Sequence, residues 1–109
     1  MAEIVLAFST FPVGFDVEAL AADLLDRGLV ACVTVLPRVR SVYKWEGATE
    51  TSDEQQVLIK TTRGRVDALW TALKARHPYE VPEFVVVPVL SGNPAYLKWV
   101  GEVVGQASA

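Results

Sequence analysis

Between residues 30 and 62 the chain carries two long β-prone stretches with no helix-forming segment between them. Val30–Trp45 reads VACVTVLPRVRSVYKW, and Glu50–Thr62 returns through the apolar centre Val57-Leu58-Ile59. Glu46-Gly47 supplies the turn, so the two runs read as a hairpin. From Arg38 to Trp45 the residues alternate, with Arg38, Arg40 and Lys44 on one side and Val39, Tyr43 and Trp45 on the other. A doubly wound parallel sheet needs a helix between successive strands, and this hairpin excludes it.

The flanking segments complete the pattern. Glu3–Phe11 (EIVLAFSTF) is an apolar run stopped by Pro12, which reads as a buried strand. Asp16 is a good N-cap, and Val17, Leu20, Ala21, Leu24 and Leu25 follow at helical spacing up to Gly28. A second helix is expected from about Thr62 to His77, with Val66, Leu69, Trp70 and Leu73 on one stripe and Pro78 ending it. Glu83–Val89 reads as the fourth strand. Asn93-Pro94 then starts a last helix lined by Tyr96, Leu97, Val100, Val103 and Val104, and the tail from Gly105 is expected to fray. The order β-α-β-β-α-β plus a C-terminal helix predicts an α+β, ferredoxin-like fold, an antiparallel sheet with helices on one face, in a single domain over 1–109.

The hairpin arms hold 13 to 16 residues, roughly 45–50 Å if straight. The helices are expected to be only roughly 20 Å long. Half of the ribbon therefore projects beyond its own helices, carrying Val39, Val42, Tyr43 and Trp45. An apolar ribbon with free edges needs a partner chain to cover it, so self-association is expected. Pro37 falls where the ribbon leaves the sheet, a position suited to a bulge.

Composition narrows the setting. The net charge of -3 and the lack of a Lys/Arg-rich block argue against a nucleic-acid partner. No apolar run approaches the length of a bilayer span, and the first residues lack the charged and apolar regions of a secretory signal. A single cysteine, Cys32, excludes an internal disulfide framework and suits a reducing compartment. A cytoplasmic protein with no membrane partner is expected.

Several motifs together resemble the CutA divalent-cation-tolerance family. They are Ala31-Cys32-Val33, Leu36-Pro37, Ser41-Val42-Tyr43-x-Trp45-x-Gly47, Ile59-Lys60-Thr61-Thr62, His77-Pro78-Tyr79-Glu80-Val81-Pro82-Glu83, Pro88-Val89, Gly92-Asn93 and Tyr96-Leu97-x-Trp99. The resemblance covers most of the chain. It implies a ferredoxin-like subunit in a tight homotrimer whose long hairpin interlocks with neighbours, similar to trimeric PII signalling proteins. It also implies a role in tolerance to divalent cations, copper in particular, with no catalytic activity.

The candidate residues follow. His77, the only histidine, is either an imidazole favoured by a helix C-terminus or a ligand for copper or another divalent cation, and the resemblance points to ligation. Two departures cut against it, because Ser9 and Arg76 stand where copper-binding relatives can carry a cysteine and a second histidine. Cys32 is expected in a buried strand as a small hydrophobe, with soft-metal ligation alongside His77 as the alternative. Tyr79, Glu80 and Glu83, stiffened by Pro78 and Pro82, read either as a structural connection into the fourth strand or as the wall of an inter-subunit cleft opposite Tyr43, Trp45 and Lys60, and the resemblance points to the cleft. Glu46, Glu50, Asp53 and Glu54 read as a solvated acidic hairpin tip. Val39, Val42, Trp45 and Trp99 are expected at the trimer interface. No phosphate loop and no second histidine for acid–base work are present, so an enzyme is not expected. The alternative function is a PII-like sensor or adaptor that takes a small anionic ligand, using Lys60 and arginines.

Overall fold

A computed structural model describes residues 2–105. The expected fraying from Gly105 onward falls almost wholly on residues outside that range. The element order is β1 (Ile4–Pro12), α1 (Val17–Asp26), β2 (Cys32–Trp45), β3 (Ala48–Thr62), a 3-10 turn at Arg63–Arg65, α2 (Val66–Arg76), β4 (Val85–Pro88) and α3 (Pro94–Val103). Among the described residues the sheet has four antiparallel strands in the order β2-β3-β1-β4. This is the ferredoxin-like α+β arrangement with an added C-terminal helix and a long central hairpin.

Local chemistry explains the boundaries. The Asp16 carboxylate accepts from the Ala19 amide at 3.0 Å and caps α1, and Gly28, with φ +69°, ends it in the left-handed conformation open to glycine. Glu46 and Gly47 both have positive φ, as a two-residue hairpin turn demands. The Asn93 side chain caps α3 through the Ala95 amide, with Pro94 in the first turn. Two boundaries differ from expectation. The second helix begins as a 3-10 turn and stops at Arg76, because Pro78 holds His77 extended (φ -72°, ψ 132°). The fourth strand covers only Val85–Pro88, since Glu83 is held by β1 through a side-chain bond instead of a ladder.

Ala7, Phe11, Val57 and Ile59 point from the sheet into a core shared with Val17, Leu20 and Leu24 of α1 and Leu69, Ala72 and Leu73 of α2. Alternation sends Ile4, Leu6, Phe8, Leu58 and Lys60 to the opposite face. There α3 packs, contrary to the expectation that every helix shares one face. Its Val100, fully buried, meets Ile4 and Ala31 in a separate small cluster. Because α3 covers only that end, the rest of this face is open. Val85 is 51% exposed and Leu36 40%.

The hairpin pairs from Cys32↔Lys60 to Trp45↔Ala48, with one irregularity between Leu36↔Gln56 and Val39↔Glu54. Two residues on β2 there, Pro37 and Arg38, oppose the single Gln55 on β3, a β-bulge. Before it the odd residues Val33 and Val35 face the helices. After it Val39, Tyr43 and Trp45 share the open face with Glu54, and Arg40, Val42 and Lys44 take the reverse face. The molecule measures 45 × 31 × 22 Å, whereas α1 and α2, with 10 and 11 residues, are only about 15–17 Å long. The outer hairpin accordingly extends past both.

Candidate functional site

The segment that follows α2 wraps over the end of β1 and brings several polar side chains together. His77 Nε2 lies 2.7 Å from the Thr10 carbonyl, and the Tyr79 amide donates to His77 Nδ1 at 3.0 Å. The His77 ring stacks on Phe11 with centroids 4.3 Å apart. Burial lowers its pKa below the usual 6.5, opposed in part by the Thr10 carbonyl and the negative charge of Glu54. Two residues on, the Tyr79 hydroxyl donates to Glu54 at 2.8 Å. Loss of solvent, then that bond and the charge of Glu54, with a smaller push from Tyr43, raise the phenol to about 12.

The far end of the segment is fastened as well. Ser9, fully buried, donates its hydroxyl to the Glu83 carbonyl at 2.7 Å. The Gln56 amide donates to the Ser9 carbonyl at 2.8 Å and to the Glu83 carboxylate at 3.2 Å. Glu54, Gln56, Tyr79, Glu83 and His77 thus form one group, with Tyr43 near enough to act on Tyr79. Glu80 is exposed beside it.

Lys60 lies in a second group, four residues along β3 from Gln56 and so about 13 Å away. Its ammonium donates to the Thr34 hydroxyl at 3.4 Å and acts on the Tyr96 phenol. Cys32 is half-buried, not enclosed as expected, because its strand begins at the rim where α3 only partly covers it. Its sulfur is 4.0 Å from the Tyr96 hydroxyl. Partial burial and then Cys32 push the Tyr96 phenol upward while Lys60 opposes them. Tyr96 and the half-exposed Trp99 tilt against each other with centroids 5.6 Å apart. Trp45 closes the ribbon opposite Ala48 and is 48% exposed. Val42 is exposed on the reverse face.

His77 and Cys32 are not brought together within one chain. Thr10, which holds His77, pairs with Gln56 on β3, whereas Cys32 pairs with Lys60 from the other side of that strand. Among the described residues no three His, Cys, Asp or Glu side chains converge as a metal-ligating group. The donors of a single chain therefore do not fit a closed copper site. Nor does any helix among the described residues have the length and apolar character to cross a membrane.

The sequence pattern assigned Glu54 to a solvated tip, yet it is 6% exposed. The signal was Pro37: a bulge there sets Glu54 opposite Val39, while the β1–β3 register sets it opposite Pro12, within reach of Tyr79. Gln56 and Thr10 carried no comparable mark.

Comparison with known proteins agrees with this geometry. Residues 5–103 match the family model described as CutA1 divalent ion tolerance protein. The divalent-cation tolerance protein CutA of Pectobacterium atrosepticum is 43% identical over 99 residues, covering 91% of this chain and 90% of that protein. The CutA homolog of Xenopus laevis is 42% identical over 98 residues, which span 90% of this chain but only 65% of that protein. The crystal structure of CutA from Xylella fastidiosa superposes with a TM-score of 0.88 at 42% identity, covering 94% of this chain and 99% of that one. These matches do not favour the alternative of a PII-like sensor. The chain belongs to the CutA1 divalent ion tolerance family.

Proposed function

We propose that this protein acts as a homotrimer that engages divalent cations, copper among them, at clefts between its copies, without catalysing a reaction. The observation that carries the reading is the open sheet face. Leu36, Val85, Val87, Tyr43 and Trp45 are all more than a third exposed on it, and the outer hairpin extends beyond any helix that could cover it. An apolar surface of this kind, bounded by the free edges of β2 and β4, is stabilised by a second copy of the chain. The count of three follows from the family resemblance. In this reading Val39, Trp45 and Trp99 bury against neighbours, and Val42 meets a neighbour from the reverse side of the ribbon.

Each cleft would set Tyr79, Glu80 and Glu83 of one copy against Tyr43, Trp45 or Lys60 of another. Glu54 and Glu83 supply hard oxygen donors and Cys32 a soft one, and since one chain holds the two carboxylates apart from the thiol and gathers no closed set among the described residues, a cation is held only where copies meet. A cytoplasmic location belongs to the same reading, supported by the single unpaired thiol.

Light scattering on the purified protein tests the assembly, with three chain masses expected at micromolar concentration. A monomer would overturn both trimer and cleft. Isothermal titration with Cu²⁺ tests the cation. Binding that disappears in a variant unable to assemble supports an inter-subunit site, and equal binding to the isolated chain refutes it.

A further inference from the structure

We propose that His77 is a positioning residue that pins residues 77–84 to the end of β1, and that its imidazole is committed to this task in one fixed tautomer. The inference goes beyond the trimer reading, because every contact it uses lies within one chain. A carbonyl oxygen only accepts, so the nitrogen 2.7 Å from Thr10 O carries the proton, and Nε2–H donates. A main-chain amide only donates, so Nδ1, which faces the Tyr79 amide at 3.0 Å, holds a lone pair. Together the two partners fix a neutral Nε2–H ring. Stacking on the buried Phe11 fixes its plane, and Pro78 holds the backbone extended so that the ring turns back toward β1.

The arrangement serves the neighbouring cleft. With the Tyr79 amide held, the Tyr79 hydroxyl reaches Glu54, and Ser9 and Gln56 fasten the far end at Glu83. A cation at Nε2 would have to remove the proton shared with Thr10, and one at Nδ1 would displace the Tyr79 amide. The two positions where the family resemblance suggests further ligands are also engaged. Ser9 donates to the Glu83 carbonyl, and Arg76 pairs with Asp23 at 3.7 Å. Of the positions linked to copper in relatives, His77 and Ser9 are here internal fasteners and Arg76 forms a surface ion pair.

Two measurements on the parent protein test this. Nitrogen-15 correlation spectra of the imidazole should show a protonated Nε2 and a lone pair on Nδ1; the opposite tautomer, or an averaged pair, would overturn the proposal. Equimolar Zn²⁺ should leave both ring nitrogens unmoved, whereas loss of the Nε2 proton on adding Zn²⁺ would overturn it. Amide exchange in variants supplies an atom-specific check. His77→Ala should speed exchange at the Tyr79 amide by on the order of tenfold, the worth of one such hydrogen bond. His77→Asn should restore protection, because an asparagine oxygen accepts from the amide two residues on. His77→Gln, which keeps a donor toward Thr10 but no acceptor near Tyr79, should not. Equal exchange in the Asn and Ala variants would refute the assignment. If the alanine variant does not fold, the tautomer and Zn²⁺ measurements still decide.

Discussion

The Tyr79 hydroxyl donates to the Glu54 carboxylate at 2.8 Å, joining the segment after α2 to the middle of β3. Glu54 is only 6% exposed, so this bond does much to keep its charge tolerable. Tyr79→Phe should remove the donor and cost about 1–3 kcal/mol of stability, the penalty for a buried acceptor left without its partner. Chemical denaturation of the parent and the variant measures it. A change below a few tenths would mean that the bond carries no net energy.

Burial of the Tyr79 ring, and then this bond, also makes stability depend on pH on the alkaline side. The Tyr79 phenol sits at about 12 when folded against 10 when unfolded, so the folded state favours the protonated form. Its stabilising contribution is complete below pH 10 and is lost as pH rises through 12. Ultraviolet titration should show a tyrosine phase about two pH units late, and Tyr79→Phe should remove that phase.

On the acid side the sign reverses. The folded pKa of His77 lies below 6.5, so the unfolded chain takes up this proton more readily. Stability owed to the neutral ring is full above pH 6.5 and declines as pH falls through the folded pKa. Denaturation midpoints between pH 7.5 and 5 should therefore fall more in the parent than in His77→Asn, which cannot titrate. Parallel slopes would show that His77 contributes nothing.

A charge at the hairpin end should act on assembly rather than on the core. Trp45 is 48% exposed and far from the cluster of Leu24, Leu69 and Leu73. Trp45→Glu should leave the circular dichroism spectrum intact while shifting the light-scattering mass toward one chain, because an unpaired charge would enter the proposed interface. An unchanged mass would place Trp45 outside any interface.

The turn offers a gain. Glu46 adopts φ +50°, a conformation costly for most side chains but open to asparagine. Glu46→Asn should raise stability by about 0.5–1 kcal/mol, read as a higher denaturation midpoint with an unchanged slope. A lower midpoint would assign the Glu46 side chain a contact of its own.

The fold was legible because local signals agreed: caps at Asp16 and Asn93, stops at Gly28 and Pro78, and a turn at Glu46-Gly47. The site was legible only in part. His77, Tyr79 and Glu83 stood out as polar groups in a proline-stiffened segment, but their partners Thr10, Gln56 and Glu54 come from two other strands. Such pairings depend on strand order and register, which periodicity does not encode. The placement of α3 escaped for a related reason. Its apolar stripe indicated that it packs, but not on which face of the sheet.

The bulge at Pro37-Arg38 works as a phase shifter. Strand pleating has a period of two, so one surplus residue exchanges the two sides of everything beyond it. Inside the globule the odd positions feed the core, and outside it they feed the open face. The two halves of β2 are thereby released from a shared pattern, and each can change its side chains without committing the other. Were the ladder to run on from Leu36↔Gln56 without the bulge, Arg40, Val42 and Lys44 would stand on the face where Val39, Tyr43 and Trp45 now do, turning a sticky surface into a charged one while the interior stays as it is.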